Sequence, residues 1–333
     1  MPMKKFINDP ANLTAELLEG LGMCFSNKIR IVDGKIVCRA NPKSEDKVAI
    51  VTLGGAGHEP ALSGFVGEGM LDASVVGDIF AAPGAPKVLE ALRMFNREAG
   101  IIVVTLNHAG DRMSAGKAIR DATKEGIKVV EIVTAEDISA GIDTDPEDKR
   151  GLAGCVPLYK IIGAAAEQGK SIDEIVEIGE RFHKQMATLA VAMTGCTHPQ
   201  NGEPIAIMPD DEMEIGMGQH GEAGGGRSKI LTADETAERM VAELIKATGV
   251  ASGDSALLLI NGTGATTLME QLIVYRKAAK VLADKGVKLV DGWCGEMLTV
   301  QEMGGFQMIL CKLSEDHKAL LSATASTPYW TSN

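Results

Sequence analysis

Three short, uninterrupted apolar runs, each halted by a polar turn, constrain this chain more than any other feature. They open the segments KVAIVTLGGAGHEP, GIIVVTLNHAGD and IKVVEIVTAED. Runs rich in Val and Ile without polar alternation predict strands buried on both faces, here over residues 47–53, 100–106 and the third segment. Each strand is read as running through its turn into a helix, so a largely parallel sheet with crossover helices follows. In such sheets ligands gather at the carboxyl ends of the strands. GGAGHEP and NHAGD both fall there.

An opening helix near residues 10–25 precedes IRIVDGKIVCRA, where Asp33-Gly34 between apolar runs predicts a hairpin. A helix over 153–168 follows the three strands, and Ser171 with Glu174 has the spacing of a capping box opening another to about 185. At 333 residues the chain exceeds the roughly 250–300 that one core usually fills. The expected division is an N-terminal α/β domain (1–185) with the parallel sheet and a C-terminal α/β domain (186–333). The second offers strands at 187–193, 204–208, 255–260, 287–291 and 305–312. Thr232/Glu235 opens a helix there, NGTGATT precedes a long final one, and the lobe reads as mixed α/β or α+β.

The net charge of −12 and an aromatic content of 4% argue against nucleic acid or anionic membrane as partner. Cysteines 24, 38, 155, 196, 294 and 311 form no CxxC and no Cys/His cluster of ligand spacing, so no metal site is expected and the thiols read as reduced. The start, MPMKKFINDPANL, lacks an apolar signal core, and no run reaches the roughly 18 apolar residues of a membrane span. A soluble, cytoplasmic chain is expected.

Four motifs could carry chemistry. In Gly54-Gly55-Ala56-Gly57-His58-Glu59-Pro60, glycines let backbone N–H groups approach a small ligand with His58 facing it; a tight turn around a structural histidine fits equally. Asp111 in Asn107-His108-Ala109-Gly110-Asp111 could take a hydroxyl proton or cap the next helix. The glycine-rich stretch Glu212 to Arg227 predicts an ordered loop, in which His220 is either a bland loop residue or a nucleophile toward a ketone. Asn261-Gly262-Thr263-Gly264-Ala265-Thr266 could cradle an anion or merely cap a helix. No GxxxxGK[ST] is present, so nucleotide binding has no motif.

In their order and separation, GGAGHEP, GDIFAAPGAPKV, NHAGD, RGLAG, IIGAAAEQGKS and MEIGMGQHGEAG resemble the substrate-binding subunit of the dihydroxyacetone kinase family along nearly the whole chain. The resemblance implies a homodimer of two-domain α/β subunits that holds a short ketose as a hemiaminal on His220. It further implies acid/base or orienting roles for His58 and Asp111 and substrate positioning by Gly55, Ala56 and Gly57. This chain would then need no cofactor of its own. Nucleotide and Mg²⁺ would sit on a separate kinase subunit, recharged by a phosphotransferase-system phosphocarrier, which fits a chain ending at Asn333. Ala56 stands where the family often has serine, Leu106 where it has lysine and His108 where it has tyrosine. The substrate is therefore expected to have three or four carbons, dihydroxyacetone or erythrulose. The alternatives are a ketose-binding transcriptional coactivator without turnover and an unrelated sugar isomerase or lyase.

Overall fold

Asp33 and Gly34 both take positive φ (46° and 68°), which turns strand β1 (Ile29–Val32) directly into β2 (Ile36–Arg39) as an antiparallel hairpin. This computed structural model describes residues 4–222 and 224–332. Helix α1 (Leu13–Cys24) precedes the hairpin. Beyond it, β3 (Ala49–Ala56), β4 (Ala73–Ile79), β5 (Ile101–Leu106) and β6 (Val129–Thr134) complete a six-stranded sheet of order β1-β2-β4-β3-β5-β6. The four central and far strands run parallel. Helices α2 (Ala85–Met94) and α3 (Ala109–Lys124) make the crossovers.

One expected element is absent and one unexpected strand takes its place. No helix follows GGAGHEP; the chain makes only a single 3₁₀ turn at Ser63–Phe65 before β4. The cause lies at the other end of the sequence. Gly67 and Gly69 take positive φ, and a Cβ on either would overlap carbonyl oxygens of Ser326 and Thr324 in the C-terminal segment. That segment packs too tightly against this loop for a helix.

Helices α4 (Cys155–Glu167) and α5 (Ile172–Lys184) then lie between the first sheet and a second, with α5 starting at the Ser171/Glu174 capping box. Among the residues of α4 only Glu167 escapes full burial. The second sheet has order β11-β10-β7-β14-β12-β13, from β7 (Met186–Ala192), β10 (Glu212–Ile215), β11 (Arg227–Lys229), β12 (Ser255–Gly262), β13 (Lys288–Gly295) and β14 (Gly305–Leu313). A small hairpin, β8 (Cys196–Thr197) with β9 (Pro204–Ile205), follows β7. Only β12 and β13 pair in parallel, so this lobe is mixed α/β. Helices α6 (Ala233–Thr248) and α7 (Leu268–Asp284) cover it, the former from its Thr232/Glu235 box.

The long helix α7 is not the last. Helix α8 (Glu315–Leu321) follows β14 and packs back on α4, and the end of the chain forms the strand pair β15 (Ala325–Ser326) and β16 (Thr331–Ser332). The stretch expected wholly as loop begins as β10 and ends in β11, leaving 216–226 irregular around residue 223, which lies outside the described residues. Residues 206–208, expected as strand, are not.

Candidate functional site

Parallel pairing puts the carboxyl ends of β3, β4 and β5 side by side, and the residues just past them meet the 216–226 loop of the second sheet. His58 follows β3, Phe80 follows β4, and His108 with Asp111 begin α3 after β5. His220 reaches them from the other lobe. Its ring centroid lies 5.1 Å from His58, 5.4 Å from His108 and 5.7 Å from Phe80, which also stacks edge-on with His198 at 5.3 Å. Three of the six histidines thus gather around Phe80, and His108 joins them through His220.

Hydrogen-bond logic fixes the protons. His58 Nδ1 lies 2.7 Å from the carbonyl oxygen of Thr299, which can only accept, so Nδ1 carries hydrogen. Burial, with the neighbouring His220 charge, pushes the His58 imidazolium down to about 3, so the ring is neutral and Nε2 is a bare lone pair. His220 Nε2, 3.1 Å away, is therefore the donor to it. On its other side His220 Nδ1 faces Glu222 Oε1 at 3.3 Å, and the Glu222 carboxylate also accepts the His220 backbone N–H. Burial alone would raise the Glu222 carboxyl, but the hydrogen bonds from His220 and the backbone outweigh it and hold it down at about 2.

His108 is tethered likewise. Its Nε2 donates to Gly151 O at 2.9 Å, and the Gln219 amide lies 2.8 Å from the same nitrogen. The Gln219 oxygen, otherwise without a partner, is the end that belongs against that N–H. Asp111 sits inside the first turn of α3, whose N-cap is His108, so it is no N-cap aspartate. Its Oδ1 is buried without a hydrogen bond, and burial, opposed by the His220 charge, pushes its carboxyl up to about 7.

His58, Phe80, Asp111, Gln219 and His220, though neither His108 nor Glu222, line a small cavity of about 30 Å³ that is closed by Gly54, Gly55, Leu62, Ala81, Ala82, Leu106 and Leu298. One water needs roughly 10–15 Å³, so the space suits a fragment of a few heavy atoms. A much larger cleft of about 910 Å³ lies along β6 and α5, but none of the clustered histidines borders it. Convergent chemistry, more than volume, marks the site.

Among the residues singled out from sequence, Gly55, His58, Asp111 and His220 meet on this cavity. Ala56 and Gly57 do not border it: Ala56 is buried in the core of the first sheet, and the Gly57 N–H is engaged by the Glu59 carboxylate at 3.0 and 3.1 Å. In NGTGATT the structure shows the helix-capping arrangement. A Cβ at Gly262 would overlap the Gln271 amide, and α7 is capped by a Thr267/Glu270 capping box one step on. Asn261 instead clamps the 297–298 backbone through three hydrogen bonds, 2.7 Å to Leu298 O and 2.7 and 3.0 Å from Met297 N and Leu298 N. This brings Thr299 to His58, which it grips through both its carbonyl and its N–H. His108, His220 and Glu222 also place one ligand atom each within 4.8 Å of the others, a grouping the linear spacing did not suggest.

The family model described as the Dak1 domain matches residues 19–329. The chain belongs to the Dak1 family. It is 36% identical over 94% of its length, and 95% of the relative's, to the dihydroxyacetone-binding subunit of PTS-dependent dihydroxyacetone kinase 1 of Listeria innocua. It is 34% identical over 98% of its length to the L-erythrulose kinase of Pectobacterium atrosepticum, of which it covers 56%. A solved structure of a dihydroxyacetone kinase operon co-activator superposes with a TM-score of 0.90 at 30% identity, covering 96% of this chain and 98% of that one. Phe80, Glu222 and Thr299 join this cluster without having been singled out from the sequence. Only Glu222, two positions after His220, had a local signal.

Proposed function

We propose that this chain is the substrate-binding subunit of a ketose kinase, holding a short ketose as a hemiaminal on His220 and presenting its terminal hydroxyl to a nucleotide-bearing partner subunit. The observation that carries the reading is the 3.1 Å contact between His220 Nε2 and the neutral, bare Nε2 of His58 at the cavity wall. In the attack, the Nε2 hydrogen of His220 passes to His58. The lone pair left behind forms the bond to the carbonyl carbon, the π pair moves to the carbonyl oxygen, and His58 hands that oxygen the same proton. No proton leaves the site, and His58 ends neutral as it began. With a second hydrogen on Nδ1 against the Glu222 carboxylate, the His220 ring that gives up its Nε2 hydrogen is left as a neutral imidazole with the lone pair that attack needs, and the adduct's ring charge is balanced by Glu222.

Capture demands a carbonyl, so polyols of equal size are rejected by chemistry. Asp111 then takes the proton of the terminal hydroxyl as that oxygen attacks phosphorus. The cavity is far too small for a nucleotide, which supports a donor held on another subunit. The PTS-dependent relative supports a phosphocarrier that recharges the partner subunit.

The ketose is dihydroxyacetone or a four-carbon homologue. Leu106 borders the cavity and Ala56 does not, so any retuning of substrate rests on Leu106 and on His108 beside His220. Carbon-13 NMR of ketose labelled at the carbonyl tests capture: on adding the protein, the ketone signal is expected to move into the region of a tetrahedral carbon bearing oxygen and nitrogen, and not with His220→Ala. An unshifted ketone with the native chain sinks covalent capture. The co-activator likeness supports a second reading, a ketose-binding regulator. Ketose phosphate formed on adding the nucleotide-bearing subunit and its phosphoryl donor excludes a purely regulatory role.

A further inference from the structure

We propose that His108, His220 and Glu222 form a binding site for a divalent transition ion of the zinc type, and that the ion blocks ketose capture. The site stands on its own geometry; only the blocking rests on His220 being the nucleophile proposed above. One ligand atom from each of the three residues already lies within 4.8 Å of the others. Bonds of about 2.1 Å in a tetrahedral zinc site bring ligand atoms to about 3.4 Å, so side-chain shifts of about 1 Å close the set. Those shifts are open to it. The His220 and Glu222 side chains are 30% and 41% exposed, and they sit on a loop where Gly221 takes φ +77°.

The supporting bonds are those of a ligand set. His108 gives its Nε2 hydrogen to the Gly151 carbonyl, which leaves Nδ1 as a lone pair held in a fixed ring. A histidine anchored by a backbone carbonyl through one nitrogen and bare at the other is the usual arrangement at zinc. His220 and Glu222 already face each other across 3.3 Å, so an ion would replace the hydrogen between them. Two imidazoles and a carboxylate, with no thiolate, suit Zn²⁺ and leave a fourth position open. With Nδ1 on the metal, the neutral His220 ring keeps its one hydrogen on Nε2, so the nitrogen that faces His58 has no lone pair to offer a carbonyl carbon.

Titration calorimetry of ZnCl₂ into the full chain tests the site. One ion per chain is expected, with micromolar affinity. His108→Gln and Glu222→Gln should each weaken binding by about tenfold or more, at least the loss that even outer-shell partners cause. His198→Gln, on the far side of Phe80, should leave the affinity unchanged. Co²⁺ in place of Zn²⁺ should give the intense visible bands of a tetrahedral site, and circular dichroism checks that each variant is folded. No saturable binding, or an affinity unmoved in folded His108→Gln, overturns the site. Adding labelled ketose separates the two readings. A hemiaminal signal that forms and then persists at saturating Zn²⁺ overturns the blocking. Zn²⁺ binding to a chain that never captures ketose upholds the site and removes the capture reading instead.

Discussion

Asp111 enters the small cavity between the lobes as a carboxyl with nothing bonded to Oδ1, and burial sets its proton affinity near neutrality at about 7. A base poised at the working pH combines a usable ionised fraction with enough proton affinity to matter in the transition state. His58 differs in kind: its Nδ1 is committed to Thr299, so it can only relay a proton through Nε2. On the proposed function the two residues divide capture from transfer. Asp111→Asn should leave the hemiaminal signal intact while slowing ketose phosphorylation by about 10²–10⁴-fold, the usual worth of a general base. In the native complex, turnover should rise as pH climbs through about 7, where Asp111 ionises, and that rise should vanish in the variant. Loss of capture together with turnover would show that Asp111 shapes the pocket instead of taking the proton.

Helix α4 sets local propensity against packing at a single residue. Gly163 lies in its interior, where alanine should gain about 1 kcal/mol of helix propensity. A Cβ there, however, would overlap the backbone of Met70, with the carbonyl oxygens of Gly69 and Met70 almost as close. Backbone cannot rotate away as a side-chain tip can, and overpacking a filled core costs about 1–3 kcal/mol or more. Packing wins, so Gly163→Ala should lower the urea midpoint, whereas the exposed Gly20 of α1, with nothing within 4 Å of its Cβ position, should tolerate the change or gain from it. The same contrast explains what was legible in sequence. The Asp33-Gly34 hairpin, the strands β3, β5 and β6 and two capping boxes are written in neighbouring residues. Strand β4 and the helix-free loop before it were not, since Gly67 and Gly69 answer to the distant 324–327 segment. Nor was the His58–His220 pair: the partners stand 162 residues apart, and their meeting depends on how two sheets dock. Motif identity marked each histidine singly, and only the fold shows that His108 joins them.

The two sheets meet around a buried acid whose protonation should be visible in the stability of the whole chain. Glu136, just past β6, accepts the N–H groups of Leu152 and Gly154 with Oε1 at 2.8 and 3.0 Å. Its backbone carbonyl takes the N–H of Thr188 from β7, and the neighbouring Ala153 N–H reaches Gln307 of β14. Its Oε2 is buried without a partner. Burial, opposed by the backbone hydrogen bonds, pushes the carboxyl up to about 7 from an ordinary 4.5. Between those values the native state holds a proton that the unfolded chain has released. The stability tied to this group is therefore fully present below about 4.5 and is lost as pH rises through about 7. Above that, a charge sits at the seam with one oxygen unpaired, a cost of up to about 3 kcal/mol. Glutamine keeps an acceptor for both N–H groups and carries no charge. Glu136→Gln should therefore raise the unfolding free energy by about 1–3 kcal/mol at pH 8 and leave it nearly unchanged at pH 5, read from urea melts at the two values. An equal effect at both would assign the change to packing, and a loss at pH 8 would mean the carboxylate finds a partner that the static arrangement does not contain.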